Sequence, residues 1–221
     1  MTILALEFSS PQRSVAVLRT DGPAMAVEVV ETGGRGVNAF KMIEQALAGA
    51  KLEREQIDAL AIGLGPGSYT GIRAAISLAQ GWQLARGVQL LGVSSAECVA
   101  ARARAEKILD RVNVVIDAQR NEFYLATYEI TPDGLHETAP LAIVSLAEVR
   151  SRAAMDGILI GPEVAKWFPA SRTIFPRAAA LAELAARRND FVAGEKLEPI
   201  YLRETNFVKA QPRHPAASGP L

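Results

Sequence analysis

The sequence predicts an α/β protein built from two related units, each opening with a strand hairpin. Short apolar runs bounded by Gly, Pro and polar turns, the mark of strands, alternate with Ala-rich stretches of helical length. The opening of the chain, "TILALEF", "SSPQ", "SVAVLRT", recurs in kind as "NVVIDAQRNEFYLATYE". The repeat reaches single residues: Glu7 and Asp117 each close a first strand, and Arg13 and Arg120 lie in or just after the turn that follows. The units are expected at residues 1–106 and 107–205, the second the smaller, with 206–221 a mobile tail rich in Pro and small residues.

Taken in order, "TILALEF" and "SVAVLRT" read as the first hairpin, and "AMAVEVVE", closed by "TGGRG", as a third strand. Phe40, Ile43, Leu47 and Ala50 then recur at helical spacing. The run "ALAIGL" is a buried strand, the loop "GPGSYTG" follows it, and Ile72 to Ala85 is apolar over the length of a helix. "VQLLGV" is the next strand, and Ser94 with Glu97 forms a capping-box signature for an Ala-rich helix. In the second unit the hairpin leads to the strand "PLAIVS". A second capping-box pair, Ser145 and Glu148, opens a short helix, and the strand "GILIG" precedes a helix expected to start at Pro162. A last helix is expected from Arg177 to Arg188.

Composition limits the function classes. The 24 basic and 24 acidic residues balance to a net charge of +0, which argues against a lone nucleic-acid-binding module. Hydrophobic residues at 49% suffice for a sizeable core, so a soluble globular protein is expected. The single cysteine, Cys98, excludes an internal disulfide and fits a reducing compartment. No run approaches the roughly 20 apolar residues of a membrane span, and "TILALEF" lacks the flanks of a secretion signal, so a cytoplasmic location with no membrane contact is expected.

The segment Gly63 to Gly71, "GLGPGSYTG", joins a buried strand to a helix, where backbone amides and a helix N-terminus can hold an anion. It matches neither the Walker loop nor the dinucleotide fingerprint. Its glycines equally suit a tight turn packed closely against its neighbours. Glu7, Ser9, Gly65, Gly67, Ser68 and Asp117 are the candidates for a vestigial phosphate site. Glu7 and Asp117, at equivalent strand ends, either face each other across a cleft or cap their own turns. His136 and His214 cannot form a His-x-x-x-His pair, and Cys98 has no basic residue within three positions, so neither a metal site, a cofactor nor a thiol nucleophile is expected. The basic cluster Arg102, Arg104, Lys107 and Arg111 is broken by Glu106 and Asp110 and reads as a solvated helix face. The helix from Ile72 is apolar on more than one side, as is the one carrying Met42, Ile43, Ala46 and Leu47. Met42, Ile43, Leu47, Ala74, Ala75, Leu78 and Trp82 are therefore candidates for a partner surface, the other reading being cover by a neighbouring helix.

The stretch "AIGLGPGSYTGIRAAISLAQGWQLARGVQLLGVSSAE", residues 61–97, closely resembles the signature of the TsaB (YeaZ) family, bacterial proteins needed to make threonylcarbamoyladenosine in tRNA. "ILALEFSS" resembles the family's "ILAIDTSS", "VIDAQRNEFYLATYE" its "DARRGEVYxxxY", and "EPIYLR" its "PxYLR". The resemblance implies two domains of the actin, Hsp70 and acetate kinase (ASKHA) class. It also implies a catalytically silent subunit that pairs, through N-terminal-domain helices, with a TsaD homologue, the threonylcarbamoyltransferase. TsaE joins the wider complex, tRNA is met only indirectly, and a homodimer through the same surface is a further implication. Silence agrees with the missing His-x-x-x-His pair of TsaD and with "GILIGPEVA", which keeps one glycine at each end of its strand. Two departures stand out. Glu7 and Phe8 replace the family's usual Asp and Thr, adding bulk where a phosphate would lie, and "GGRGVNAFKMIEQAL" lacks the histidine of the Arg-x-His-Ser pattern near residue 38. A different class, an independent small-molecule kinase or ATPase using Glu7 and Asp117 with a magnesium nucleotide, is the alternative. For a third reading, the older glycopeptidase label of this wider family, the sequence offers no Ser-His-Asp, Cys-His or zinc constellation.

Overall fold

The computed structural model describes residues 1–21, 25–33, 38–155 and 157–203. The expected tail at 206–221, His214 and the positions 34–37 of the family pattern lie outside them.

Two five-stranded sheets carry the fold. The first holds β1 (Thr2–Glu7), β2 (Gln12–Arg19), β3 (Met25–Thr32), β4 (Ala59–Gly63) and β5 (Gln89–Val93), in the order β3-β2-β1-β4-β5. The second holds β6 (Asp110–Asp117), β7 (Glu122–Ile130), β8 (Leu135–Ser145), β9 (Ile158–Gly161) and β10 (Arg172–Thr173), in the order β10-β9-β6-β7-β8. Counted within its own unit, each sheet has its first strand in the centre, the second and third antiparallel on one side, and the fourth and fifth parallel on the other. The recurring hairpin is thus the visible part of a repeated topology.

Strict alternation along the central strands gives the first sheet two different faces. Leu4, Leu6, Val15, Val17, Leu60 and Ile62 point to a face covered by α1 (Ala39–Ala50) and α2 (Tyr69–Arg86). Ile3, Ala5, Ala16, Ala59 and Ala61 point the other way, against α5 (Ala178–Ala185). Small residues on both sides of that contact let the Ala-rich helix lie close to the sheet. α5 is fixed at its N-terminus by the first sheet: Ser14 Oγ accepts from the Ala178 amide at 2.8 Å, and Glu28 Oε1 from the Ala179 amide at 3.1 Å. Glu28 also pairs with Arg177, Nη2 to Oε2 2.7 Å.

α3 (Ser95–Ala105) makes the reciprocal move. Its Val99, Ala100 and Ala103 pack on Val112, Val114 and Ile116 of the second sheet. The helix that the sequence groups with the first unit therefore lies on the second sheet, and the last helix, grouped with the second unit, lies on the first. α3 and α5 touch each other between the sheets. The outer face of the second sheet, with Val115, Phe123, Leu125 and Leu159, is covered by α4 (Leu146–Met155) and a short turn at Val164–Lys166.

Three expectations need correction. The last helix, expected from Arg177 to Arg188, spans Ala178–Ala185. The helix expected from Pro162 is a single 3₁₀ turn, Val164–Lys166, because Pro169 cannot continue a helix. Phe40, in the apolar stripe of α1, is 64% exposed, since it sits at the first turn, beyond the reach of the sheet. Both serines cap their helices, Ser94 Oγ accepting from the Ala96 amide at 3.2 Å and Ser145 Oγ from the Glu148 amide at 3.2 Å, but Glu97 pairs with Arg188 and does not close a box with Ser94.

Candidate functional site

β1 ends in a carboxylate that the protein keeps for itself. Glu7 is fully buried; its Oε1 accepts from the Ser9 amide at 2.8 Å and its Oε2 from Ser95 Oγ at 2.9 Å. Burial raises its pKa, against the lowering effect of those hydrogen bonds. Ser95 also ties in the glycine loop: its Oγ accepts from the Gly65 amide at 3.2 Å, and its own amide donates to Gly65 O at 2.8 Å.

The glycines of this loop are required by close packing. A Cβ on Gly63 would stand 2.1 Å from Glu7 Oε2, one on Gly67 2.1 Å from Ser9 O, and one on Gly71 2.0 Å from Phe8 O. The loop is pressed against the β1–β2 turn, where the Ser68 amide donates to Ser9 O at 2.7 Å, and Ser68 Oγ caps α2 by accepting from the Gly71 amide at 3.3 Å.

Between the two units lies a cleft of about 330 Å³. Ser9, Gly67 and Ser68 are on one wall, Asp117, Gln119 and Glu163 on the other. Of the six phosphate-site candidates, the structure brings Ser9, Gly67, Ser68 and Asp117 to this cleft. Glu7 and Gly65 are not among its lining, so the two strand-end carboxylates do not face each other across it. Phe8 does not crowd it either: its ring is buried in the core of the first unit. Asp117 caps its own turn, Oδ1 accepting from the Gln119 amide at 2.7 Å. In that turn Gln119, Arg120 and Asn121 have φ of 65°, 59° and 59°, three successive non-glycine residues in the left-handed region and hence a strained tip. Glu163 is ion-paired with Lys166.

The remaining polar candidates are placed as follows. Cys98 is buried, its Sγ 3.2 Å from Arg177 O, and burial pushes its thiol well up. His136 is exposed on β8. Arg102 pairs with Glu106 one helical turn on, Nη2 to Oε1 2.6 Å.

The partner-surface candidates divide by depth. Met42, Ile43, Leu47 and Ala75 are buried in the first core, because their stripe faces the sheet, and so do not form an open surface. Ala74 is exposed, and Leu78 and Trp82 are half-buried. Trp82, Ala85 and Phe40 line an apolar groove of about 260 Å³ between α1 and α2, with Ile43 at its base and Arg54, Glu55 and Arg86 at its rim. Phe40 and Ala85 belong to apolar helical stripes in the sequence but are not among its partner-surface candidates; helical periodicity assigns faces, but not which end of a helix overhangs its sheet.

Two five-stranded α/β units of the same topology thus flank a cleft, and the fold is one that known proteins share. The family model of TsaD, tRNA N6-adenosine threonylcarbamoyltransferase, matches residues 36–202. YeaZ from Pseudomonas aeruginosa has a similar structure, with a TM-score of 0.78 and 30% identity, over 91% of this chain and 99% of that one. The Escherichia coli tRNA threonylcarbamoyladenosine biosynthesis protein TsaB is 28% identical over 96% of this chain and 99% of its own length. An uncharacterised Mycobacterium tuberculosis protein is 30% identical over 91% of this chain and 92% of its own length. The chain belongs to the TsaB (YeaZ) family.

Proposed function

We propose that this chain is a non-catalytic subunit that binds and activates a TsaD homologue in the formation of threonylcarbamoyladenosine in tRNA. The observation that carries the reading is the exposed apolar groove between α1 and α2, with Phe40 on one helix and Trp82 and Ala85 on the other. A groove of this kind, with charges only at its rim, suits a helix pair of a related fold better than it suits water. The enclosure of Glu7 supports silence: a carboxylate with both oxygens engaged inside the protein is not offered to a substrate. In this reading the chain comprises two ASKHA-like domains, 1–106 and 107–205, works in the cytoplasm, joins TsaE in a wider complex, meets tRNA only through its partners, and uses the same groove for a homodimer when free. The working side chains are Trp82 in the groove and, further along the same face of α2, Leu78 and Ala74, over the buried Met42, Ile43, Leu47 and Ala75.

The test is the affinity of the TsaD homologue from the same cell. Ala74→Arg places a charge on the exposed face of α2, and Trp82→Ala removes the anchor. Each is expected to weaken binding by about 2 kcal/mol or more while the fold persists. Undiminished affinity in a folded Ala74→Arg protein would refute the surface. The second reading, an independent kinase or ATPase, is favoured by the polar cleft with Ser9, Ser68 and Asp117. It requires ATP turnover by the purified chain alone, lost in Asp117→Ala.

A further inference from the structure

After α5 the chain does not end on the second unit but returns along the first. The Val192 amide donates to Leu90 O on the edge strand β5 at 2.9 Å. Two glutamines of α2 hold Gly194: its amide donates to Gln83 Oε1 at 2.8 Å, and Gln80 Nε2 donates to its carbonyl at 2.8 Å. Leu197 is buried in the first core, and the Ile200 amide donates to Leu64 O at 2.9 Å. Tyr201 then stacks on Tyr69, ring centroids 5.7 Å apart, with the Arg73 guanidinium 4.5 Å from the Tyr69 ring centre. Two residues later the chain crosses to the other unit. Arg203 Nη2 donates to Ala118 O at 3.0 Å and to Glu122 Oε2 at 2.6 Å.

Tyr69 and Ala118 stand on opposite walls of the interdomain cleft. One continuous segment thus grips both. We infer that residues 192–203 are a strap that sets the separation of the cleft walls, with Arg203 as its release point. The two ends differ in the way such a device needs. The proximal part is anchored by a buried leucine and by backbone and glutamine hydrogen bonds, which open rarely. The distal part rests on groups that water reaches: Tyr201 is 42% exposed, and the half-buried side chains of Arg203 and Glu122 are 33% and 45% exposed. An ion pair in that setting is weak and exchanges with solvent. What Arg203 holds is also significant. Ala118 and Glu122 flank the left-handed tip at Gln119 to Asn121, so the guanidinium braces a strained turn from both sides, and its release frees the turn together with the wall.

The strap is also bonded to α2 at Gln80, Gln83 and Tyr69, and α2 presents Ala74, Leu78 and Trp82 on another side, so a contact on that helix is mechanically joined to the second unit. The inference itself stands without any partner, and its test uses none. Spin labels at Thr70→Cys, in the first turn of α2, and Glu129→Cys, on β7, are placed on exposed positions of the full chain, one per unit. Cys98 is buried and stays unlabelled. The distance distribution from pulsed dipolar spectroscopy is expected to be narrow in the labelled parent. Arg203→Ala should at least double its width and lengthen its mean, with circular dichroism unchanged, and Tyr201→Ala should act in the same direction. Arg203→Lys, which keeps a charged donor, should recover most of the narrow distribution. Parental mean and width in a folded Arg203→Ala protein would overturn the inference, as would equal broadening by Arg203→Lys and Arg203→Ala.

Discussion

Substituting Gly63 by Ala tests whether the glycine loop exists to house Glu7. The added Cβ would lie 2.1 Å from Oε2 and 2.7 Å from Cδ of Glu7, and the last residue of β4 has no freedom to retreat because β1 and β5 pair with β4 on either side. The carboxylate must move, and it loses its bonds from the Ser9 amide and Ser95 Oγ. Hydrogen bonds to a charged group are worth at least about 1.5 kcal/mol each, so the two together set a loss of about 3 kcal/mol. Replacing a strand glycine returns roughly 0.5 kcal/mol through the unfolded chain, leaving a net cost of about 2.5 kcal/mol. The cause is a single contact, so a double-mutant cycle isolates it. In a Glu7→Ala background, where the clashing atoms are gone, Gly63→Ala should be neutral or stabilising by a few tenths of a kcal/mol. Urea unfolding followed by circular dichroism measures all four proteins. An equal cost of Gly63→Ala in both backgrounds would show that the glycine answers to backbone geometry rather than to the carboxylate.

Glu7 also predicts a pH dependence. Its folded-state pKa is raised by burial, so the folded protein holds this proton more tightly than the unfolded chain does. The stability linked to it is complete below the unfolded carboxylate pKa and is lost as pH rises through the raised folded value. Glu7→Gln keeps the shape and cannot ionise, so its stability relative to the parent should increase between acidic and neutral pH. Parallel urea midpoints for the two proteins from pH 4 to 8 would contradict this account. Glu28 anchors α5 both as a cap for Ala179 and as the partner of Arg177, so Glu28→Ala should cost about 2 kcal/mol, roughly half from the lost cap and half from the part-buried ion pair. Arg177→Ala should then add little in the Glu28→Ala background, and full additivity in thermal or urea unfolding would count against a shared anchor.

Much of the fold is legible in the chain because it rests on local rules. The short apolar run "TILALEF" marks a buried strand, Ser94 and Ser145 announce the helices they cap, and the echo of Glu7 to Arg13 in Asp117 to Arg120 marks the duplication before any strand order is known. The block at residues 61–97 likewise carries the family resemblance, and in this chain the close contacts at Gly63, Gly67 and Gly71 show why its loop is glycine-rich.

Other features depend on which groups meet across long separations, and no local pattern encodes that. Whether Glu7 faces a cleft or a serine was settled by the approach of Ser95, 88 residues away. Which sheet each helix covers was decided by the exchange of α3 and α5, because Ala-rich helices and Ala-lined sheet faces are interchangeable as sequence but not as shapes. Periodicity placed Met42, Ile43 and Leu47 on an apolar face, and only packing revealed that the sheet consumes that face while Phe40 and Trp82 overhang it. The strap from Val192 to Arg203 has one local turn, Gly194–Lys196, and beyond it no helical or strand period, since its other bonds run to Leu90, Gln83, Leu64, Tyr69 and Glu122. A segment held mostly by distant partners leaves no periodic trace in the sequence.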